Sequence, residues 1–245
     1  MKVPLAKKNY LLESVRNIFT ETKKGKVLDL GCGDGDYSLM LKNLGFEVMA
    51  ADLDEGRFKH KNEIRFQKCD LTQKLAFIDY SFDYILLLEV IEHLKNPYSV
   101  MQELNRVIKD SGILILSTPN ILSLKSRFRF LFEGTFRYFR EPPIDQALNP
   151  KEAIFNLHIY PYRFQELEYL LWQNGFKIEK ISTSIYEGFE YFFLLPVIKL
   201  QQFLRKRRSK TKESINYSRI NKILSSKELL FGRHLILKCV KFKNE

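Results

Sequence analysis

The chain has 245 residues, 45% of them apolar, with 40 basic and 29 acidic side chains and a formal net charge of +11. That length supports one large domain with a sizeable core, and no run of 18 or more apolar residues is available to cross a bilayer. Three widely spaced cysteines, Cys32, Cys69 and Cys239, fit neither a disulfide framework nor a zinc ligand set.

Residues 1–9 carry lysines without the apolar stretch and small-residue end of a signal peptide, so a cytoplasmic location is expected. Apolar residues at Leu11, Leu12, Val15, Ile18 and Phe19 have helical spacing and predict an amphipathic helix over 5–22. Strand-like runs follow at 27–30, 47–51, 64–69, 84–88 and 113–117, with helical stretches between most of them, clearest at 37–43 and 97–108. This alternation predicts a parallel, doubly wound sheet. A helix at 163–174 ends at Gly175, a strand at 177–182 follows, and 235–240 is expected to close the sheet as an antiparallel edge strand.

The stretch between the first two strands is the most informative. Gly31, Gly33 and Gly35 allow a sharp bend and a close backbone approach to a ligand. Asp52 closes the second strand, where an acid can accept hydrogen bonds from ribose hydroxyls. The glycines are spaced G-x-G-x-G, and Asp29, Asp34 and Asp36 stand among them. A pyrophosphate would meet like charge there. A nucleoside bearing an ammonium and a sulfonium would not, which points to S-adenosyl-L-methionine.

These residues resemble the first motif of class I S-adenosylmethionine-dependent methyltransferases. Asp52-Leu53-Asp54, Cys69-Asp70-Leu71, Phe82-Asp83-Tyr84, Glu89-Val90-Ile91-Glu92-His93-Leu94 and Ser117-Thr118-Pro119-Asn120 follow in the order that the family shows. The Glu-Val-Ile-Glu-His-Leu stretch resembles the branch holding ubiquinone-pathway O-methyltransferases and glycan-tailoring methyltransferases. The resemblance implies an α/β, doubly wound, mostly parallel seven-stranded Rossmann-like sheet with an antiparallel edge strand and two insertions. It implies one domain over 1–245, with core segments 1–120, 162–183 and 231–243 and insertions at 121–161 and 184–230. It also assigns roles. Asp29 orients the loop and the methionine ammonium, while Gly31, Cys32 and Gly33 line the methionyl part. Asp52 binds ribose, Leu53 and Leu71 flank adenine, Asp70 accepts from the adenine amino group, and Leu88 and Glu89 lie under the reacting centre.

A hydroxyl acceptor must lose a proton, which suits histidine. His93, directly after the fourth strand, is the first candidate base; His158, where the first insertion returns to the core, is the second; Glu89 is a further candidate. Glu89 and Glu92, three apart, read as helix-start acids rather than a metal pair. The fourth strand runs into Leu-Glu-Val-Ile instead of the Asn/Asp-Pro-Pro motif of amino-methylating relatives, and the pair Pro142-Pro143 lies in the insertion. Oxygen on a small-molecule or lipid-linked glycan acceptor is therefore expected, ahead of a quinone or small aromatic hydroxyl, a non-catalytic regulatory role, or nucleic acid.

Residues 1–120 hold 17 basic and 17 acidic side chains and residues 121–245 hold 23 and 12, so the excess charge sits in the second half. There Lys125, Arg127, Arg129, Arg137 and Arg140 interleave with Phe128, Phe130, Phe132, Phe136, Tyr138 and Phe139, a pattern able to hold phosphates or sugar rings. An apolar run over 191–198 precedes six basic residues within 205–212. That pattern predicts peripheral contact with an anionic membrane.

Overall fold

The computed structural model describes residues 9–140, 158–208 and 213–242. The chain runs α1 (Tyr10–Thr20), β1 (Lys26–Leu30), α2 (Asp36–Asn43), β2 (Glu47–Asp52), β3 (Arg65–Lys68), β4 (Phe82–Leu88), α3 (Pro97–Val107), β5 (Ile108–Pro119), α4 (Leu124–Glu133), α5 (Phe164–Gln173), β6 (Phe176–Ser182), α6 (Leu195–Arg208), α7 (Glu213–Leu224), α8 (Lys227–Phe231) and β7 (His234–Lys241). Two of the helix starts show side-chain caps plainly. The Asn9 side chain accepts from the Leu12 N–H and the Asn96 side chain from the Ser99 N–H, with Pro97 in the first turn of α3.

The seven strands form one sheet in the order β3-β2-β1-β4-β5-β7-β6. β1 pairs in parallel with both β2 and β4, so the strand order reverses at β1 and opens a crevice at the carboxyl ends of these strands. β7 is antiparallel to both of its neighbours. It lies one place in from the position expected for it, because β6 takes the outer edge of the sheet and β7 fills the gap beside β5.

Side chains alternate between two apolar layers with the period of a strand. Ile85 and Leu87 of β4 join Leu28 and Leu30 against α3 and α5, through Met101, Leu104, Leu167 and Leu171. Tyr84, Leu86 and Leu88 face the other way, onto Leu11, Val15 and Phe19 of α1 and Leu41 of α2. Covering on both faces explains why the central strands read as unbroken apolar runs.

The first insertion enters through α4; residues 141–157, including Pro142-Pro143, lie outside the described residues. Asn120 locks the insertions to the sheet: its buried amide nitrogen donates to the carbonyls of Glu228, Leu229 and Gly232, and its Oδ1 accepts from the Leu122 N–H. The second insertion holds a short 3-10 turn at Phe189–Leu194, then α6, α7 and α8. Among the described residues no helix is long and apolar enough to cross a membrane.

Gly31 ends β1 with φ +76, and a Cβ there would sit 2.5 Å from Val90 Cγ2. Valine is stiff about χ1 and cannot swing aside. Gly45, φ +88, has open space around the same atom. Gly31→Ala is expected to cost about 3 kcal/mol in urea denaturation, backbone strain plus overpacking, against about 1 kcal/mol for Gly45→Ala. Equal losses would show that Val90 exerts no constraint on the bend.

Candidate functional site

Where β1 ends, the bend is tied to β2 by its own amides. The N–H groups of Gly31 and Cys32 both donate to the Ala51 carbonyl, at 2.8 and 3.1 Å. The Gly33 N–H donates to Asp52 Oδ2 at 2.8 Å and the Asp54 N–H to Asp52 Oδ1 at 3.0 Å. Each carboxylate oxygen keeps lone-pair capacity beyond that one bond. The bend and Asp52 form one wall of a cleft of about 360 Å³ that also reaches Asp70, Glu89 and His93.

The expected binding residues divide into those that face this cleft and those that support it. Gly31, Gly33, Asp52, Leu53, Asp70, Leu71 and Glu89 line it. Leu53 leaves 39% of its surface open, an apolar wall suited to a flat base. Asp70 Oδ1 accepts from both the N–H and the hydroxyl of Thr72, and the Thr72 backbone bond holds its carboxyl below the usual range. Asp29, Cys32 and Leu88 are buried and do not line the cleft. Asp29 accepts a 2.6 Å bond from the Ser38 hydroxyl and so anchors the first turn of α2 to β1. The Cys32 side chain packs with Ala50, Phe58 and Ile64, where burial pushes its thiol up. Any part these residues play toward a ligand runs through the backbone or through the shape of the bend.

Glu89 and His93 bring acid–base groups to the same cleft, with Glu92, His158 and His234 around them. Glu89 has φ +53, in the left-handed region that non-glycine residues rarely enter. Ser117 holds it there: the Glu89 N–H donates to the Ser117 carbonyl and hydroxyl oxygens, and that hydroxyl donates to Glu89 Oε1 at 2.7 Å. Burial raises the Glu89 carboxyl, opposed by the Ser117 hydrogen bond and the Arg233 charge. His234 Nε2 stands 3.8 Å from Glu89 Oε2. Burial, with the Arg233 and Arg137 charges, pushes His234 down to about 4, so it is neutral at pH 7 and the contact is not an ion pair.

The reading of Glu89 and Glu92 as helix-start acids holds for Glu92 alone. Glu89 directly follows β4, while Glu92 sits in the first turn of a 3-10 helix, Ile91–His93, that carries its side chain into the protein. Its Oε2 accepts from the Thr118 hydroxyl at 3.1 Å, while Oε1 is buried without a hydrogen-bond partner among the described residues. Burial and the nearby Glu89 charge raise its carboxyl well above the ordinary value. The sequence places His93 and His158 far apart, yet their ring centroids are 4.8 Å apart. The Glu92 carbonyl draws the insertion back by accepting from the N–H groups of Ile159 and Tyr160. His158 Nδ1 lies 2.6 Å from the Tyr138 carbonyl. A carbonyl only accepts, so Nδ1 carries the proton and Nε2 presents a lone pair. One ligating atom from each of Glu92, His93 and His158 falls within 4.8 Å of the others, a set that could hold a divalent cation.

Sequence reasoning gave no individual role to Arg57, Arg233, His234 or Tyr138. Arg57 lines the cleft near the bend, its Nη2 3.8 Å from where a Gly33 Cβ would lie. Arg233 Nε donates to the Tyr138 hydroxyl at 2.6 Å, although 95 residues separate the two. Only the folded chain reveals that pairing.

A methyltransferase domain family matches residues 6–181. A ubiquinone biosynthesis O-methyltransferase of Rickettsia typhi is 31% identical over 117 residues, covering 45% of this chain and 48% of that protein. The one from Glaesserella parasuis is 30% identical over 172 residues, covering 61% of this chain and 73% of that protein. The chain thus spans about half the length of the Rickettsia relatives it matches. Among solved structures, a SAM dependent methyltransferase from Archaeoglobus fulgidus superposes with a TM-score of 0.59 over 94% of both chains at 19% identity, a likeness of fold.

Burial, with the Asp52 charge adding to it, raises Asp29 from its ordinary 3.8 to about 6. The folded state then holds the proton more tightly than the unfolded chain. This contribution to stability is complete below pH 3.8 and is lost as pH rises through about 6. The loss approaches 3 kcal/mol, since each pH unit between those two values is worth about 1.4 kcal/mol. Asp29→Asn, which keeps an acceptor for Ser38, should be flatter than the parent across that window and at least as stable above it. Parallel melting curves against pH for both proteins would refute this.

Proposed function

The chain belongs to the class I S-adenosylmethionine-dependent methyltransferase family, and we propose that it moves the donor's methyl group to a phenolic oxygen of a quinone-ring or similar aromatic acceptor. The observation that carries the reading is that Glu89 and His93, the latter in ring contact with His158, line the same cleft as Asp52 and the glycine bend. Groups suited to hold a donor and groups able to accept a proton line one cavity.

The cleft fits the donor. Its carboxylates, Asp52 and Asp70, suit hydroxyls, an amine and positive charge. The bend at Gly31 leaves no room for a side chain. When bound, S-adenosylmethionine supplies a methyl group already activated on a sulfonium, so the protein's work is alignment and charge. Asp52, fixed by two amides, accepts from the ribose diol; Leu53 and Leu71 enclose the base; Asp70 accepts from its amino group. His93 takes the acceptor's hydroxyl proton. His158, with Nδ1 committed to the Tyr138 carbonyl, offers Nε2 as the neighbouring acceptor.

The names of the relatives favour an aromatic hydroxyl over the sugar oxygen expected from the Arg/Phe-rich insertion. Within that insertion Arg137 is paired with Glu187, and Arg129 and Arg140 both approach Glu133. These guanidiniums are engaged with carboxylates of the protein itself.

The test is transfer of radiolabelled methyl to a panel of catechols, hydroquinols and hydroxybenzoates beside saccharides. Label should enter the aromatic set. His93→Ala should lower turnover ~100-fold while calorimetry shows unchanged affinity for S-adenosylhomocysteine. Asp52→Ala should do the reverse, weakening that affinity ~100-fold through loss of charge-assisted bonds. Labelling of saccharides alone would overturn the acceptor, and full turnover in His93→Ala would overturn the base.

A further inference from the structure

The second insertion has an apolar face that the protein's core does not use. Helix α6 turns Leu195 and Ile198 inward, onto a small cluster built around Leu124, Leu230 and Phe231. A helix with one such stripe normally shows polar residues elsewhere. Here Val197 and Leu200, three residues apart, are 54% and 57% exposed, and Phe203 continues the line at 55%. The preceding 3-10 turn adds Phe192 and Phe193, 57% and 63% exposed. The face extends onto α4: Phe128 packs its ring on Phe132 and on Tyr191, with centroids 4.6 and 4.8 Å apart. Phe132 is itself largely exposed. Isolated exposed apolar residues are ordinary; a run across two adjoining elements marks a contact surface.

The charge that follows selects the occupant. Arg205, Lys206, Arg207 and Arg208 complete α6, and Lys210 and Lys212 come next in sequence, outside the described residues. With 14 residues the helix is about 21 Å long at 1.5 Å per residue, too short to cross a bilayer. A short helix with aromatic and aliphatic side chains outward and a basic end matches an element lying in the headgroup plane of an anionic bilayer. A second copy of the chain would bring like charges together, since each carries +11. The position is also productive. α4 follows the carboxyl end of β5, and the second insertion follows the carboxyl end of β6, the end of the sheet where the cleft opens.

We propose that the face formed by α4, the Phe189–Leu194 turn and α6 docks on an anionic lipid surface, holding the cleft's end of the sheet toward the membrane. The proposal stands apart from the identity of the methyl acceptor. The full chain is tested by co-sedimentation with vesicles of phosphatidylcholine alone and of phosphatidylcholine with phosphatidylglycerol, at low and high salt. Binding to the anionic vesicles should exceed that to neutral ones ~10-fold and should fall in high salt. Two variants separate the contributions: Phe193→Ser with Val197→Ser and Leu200→Ser, and Arg205→Gln with Lys206→Gln, Arg207→Gln and Arg208→Gln. Each should bind anionic vesicles ~10-fold more weakly than the parent, with unchanged melting temperature and S-adenosylhomocysteine affinity. Equal binding to both vesicle types, or variants that bind like the parent, would overturn it. So would a dimer by light scattering that dissolves in the serine variant, or single-stranded RNA displacing the vesicles.

Discussion

One carboxylate holds the nucleoside end of this protein together. Asp52 takes the Gly33 N–H on one oxygen and the Asp54 N–H on the other, so the loops after β1 and β2 close on the same group. The Ala51 carbonyl adds two further amides from Gly31 and Cys32. An acid placed this way is preorganised: its amide bonds are made before any ligand arrives, and its remaining lone pairs keep fixed directions. Asp29 behind it is raised by burial, with the Asp52 charge adding to the effect.

The acid–base groups follow a different rule. Burial shifts Glu89, Glu92 and His234 all toward their neutral forms, aided at Glu92 by the Glu89 charge and at His234 by Arg233 and Arg137. The Ser117 hydroxyl clamps Glu89, and the Thr118 hydroxyl meets Glu92. Both serve from the last residues of β5, so the strand beside β4 orients the acids that β4 and its following turn deliver. Environments that push titratable groups away from their ordinary values are characteristic of reacting centres.

Much of the fold and of the cleft at the bend was legible in the sequence. β1, β4 and the second half of β5 are buried and so read as apolar runs, and the helical spacing of α3 is local to it. The bend was visible because three glycines alternate through it and an acid closes the next strand. What the sequence concealed depends on distant partners. The place of β7 inside β6 is a matter of pairing, which residue pattern does not encode. The inward turn of Glu92 depends on the short 3-10 geometry after β4. The contact of His93 with His158 depends on the Glu92 carbonyl recapturing the insertion. Arg233 and Tyr138, 95 positions apart, give no local signal at all.

The central claim is that an acid-closed bend selects a cationic sulfur nucleoside over a phosphate-bearing one. Arg57 beside Gly33 makes the matter worth measuring, because a guanidinium at that point offers a countervailing attraction for phosphate along this wall. The most direct measurement is isothermal titration of the parent protein with S-adenosylmethionine, S-adenosylhomocysteine, NAD and ATP under the same conditions. The account predicts saturable binding of the two sulfur nucleosides and none of the two phosphates at matched concentrations. Tight uptake of NAD or ATP with indifference to the sulfur nucleosides would contradict it.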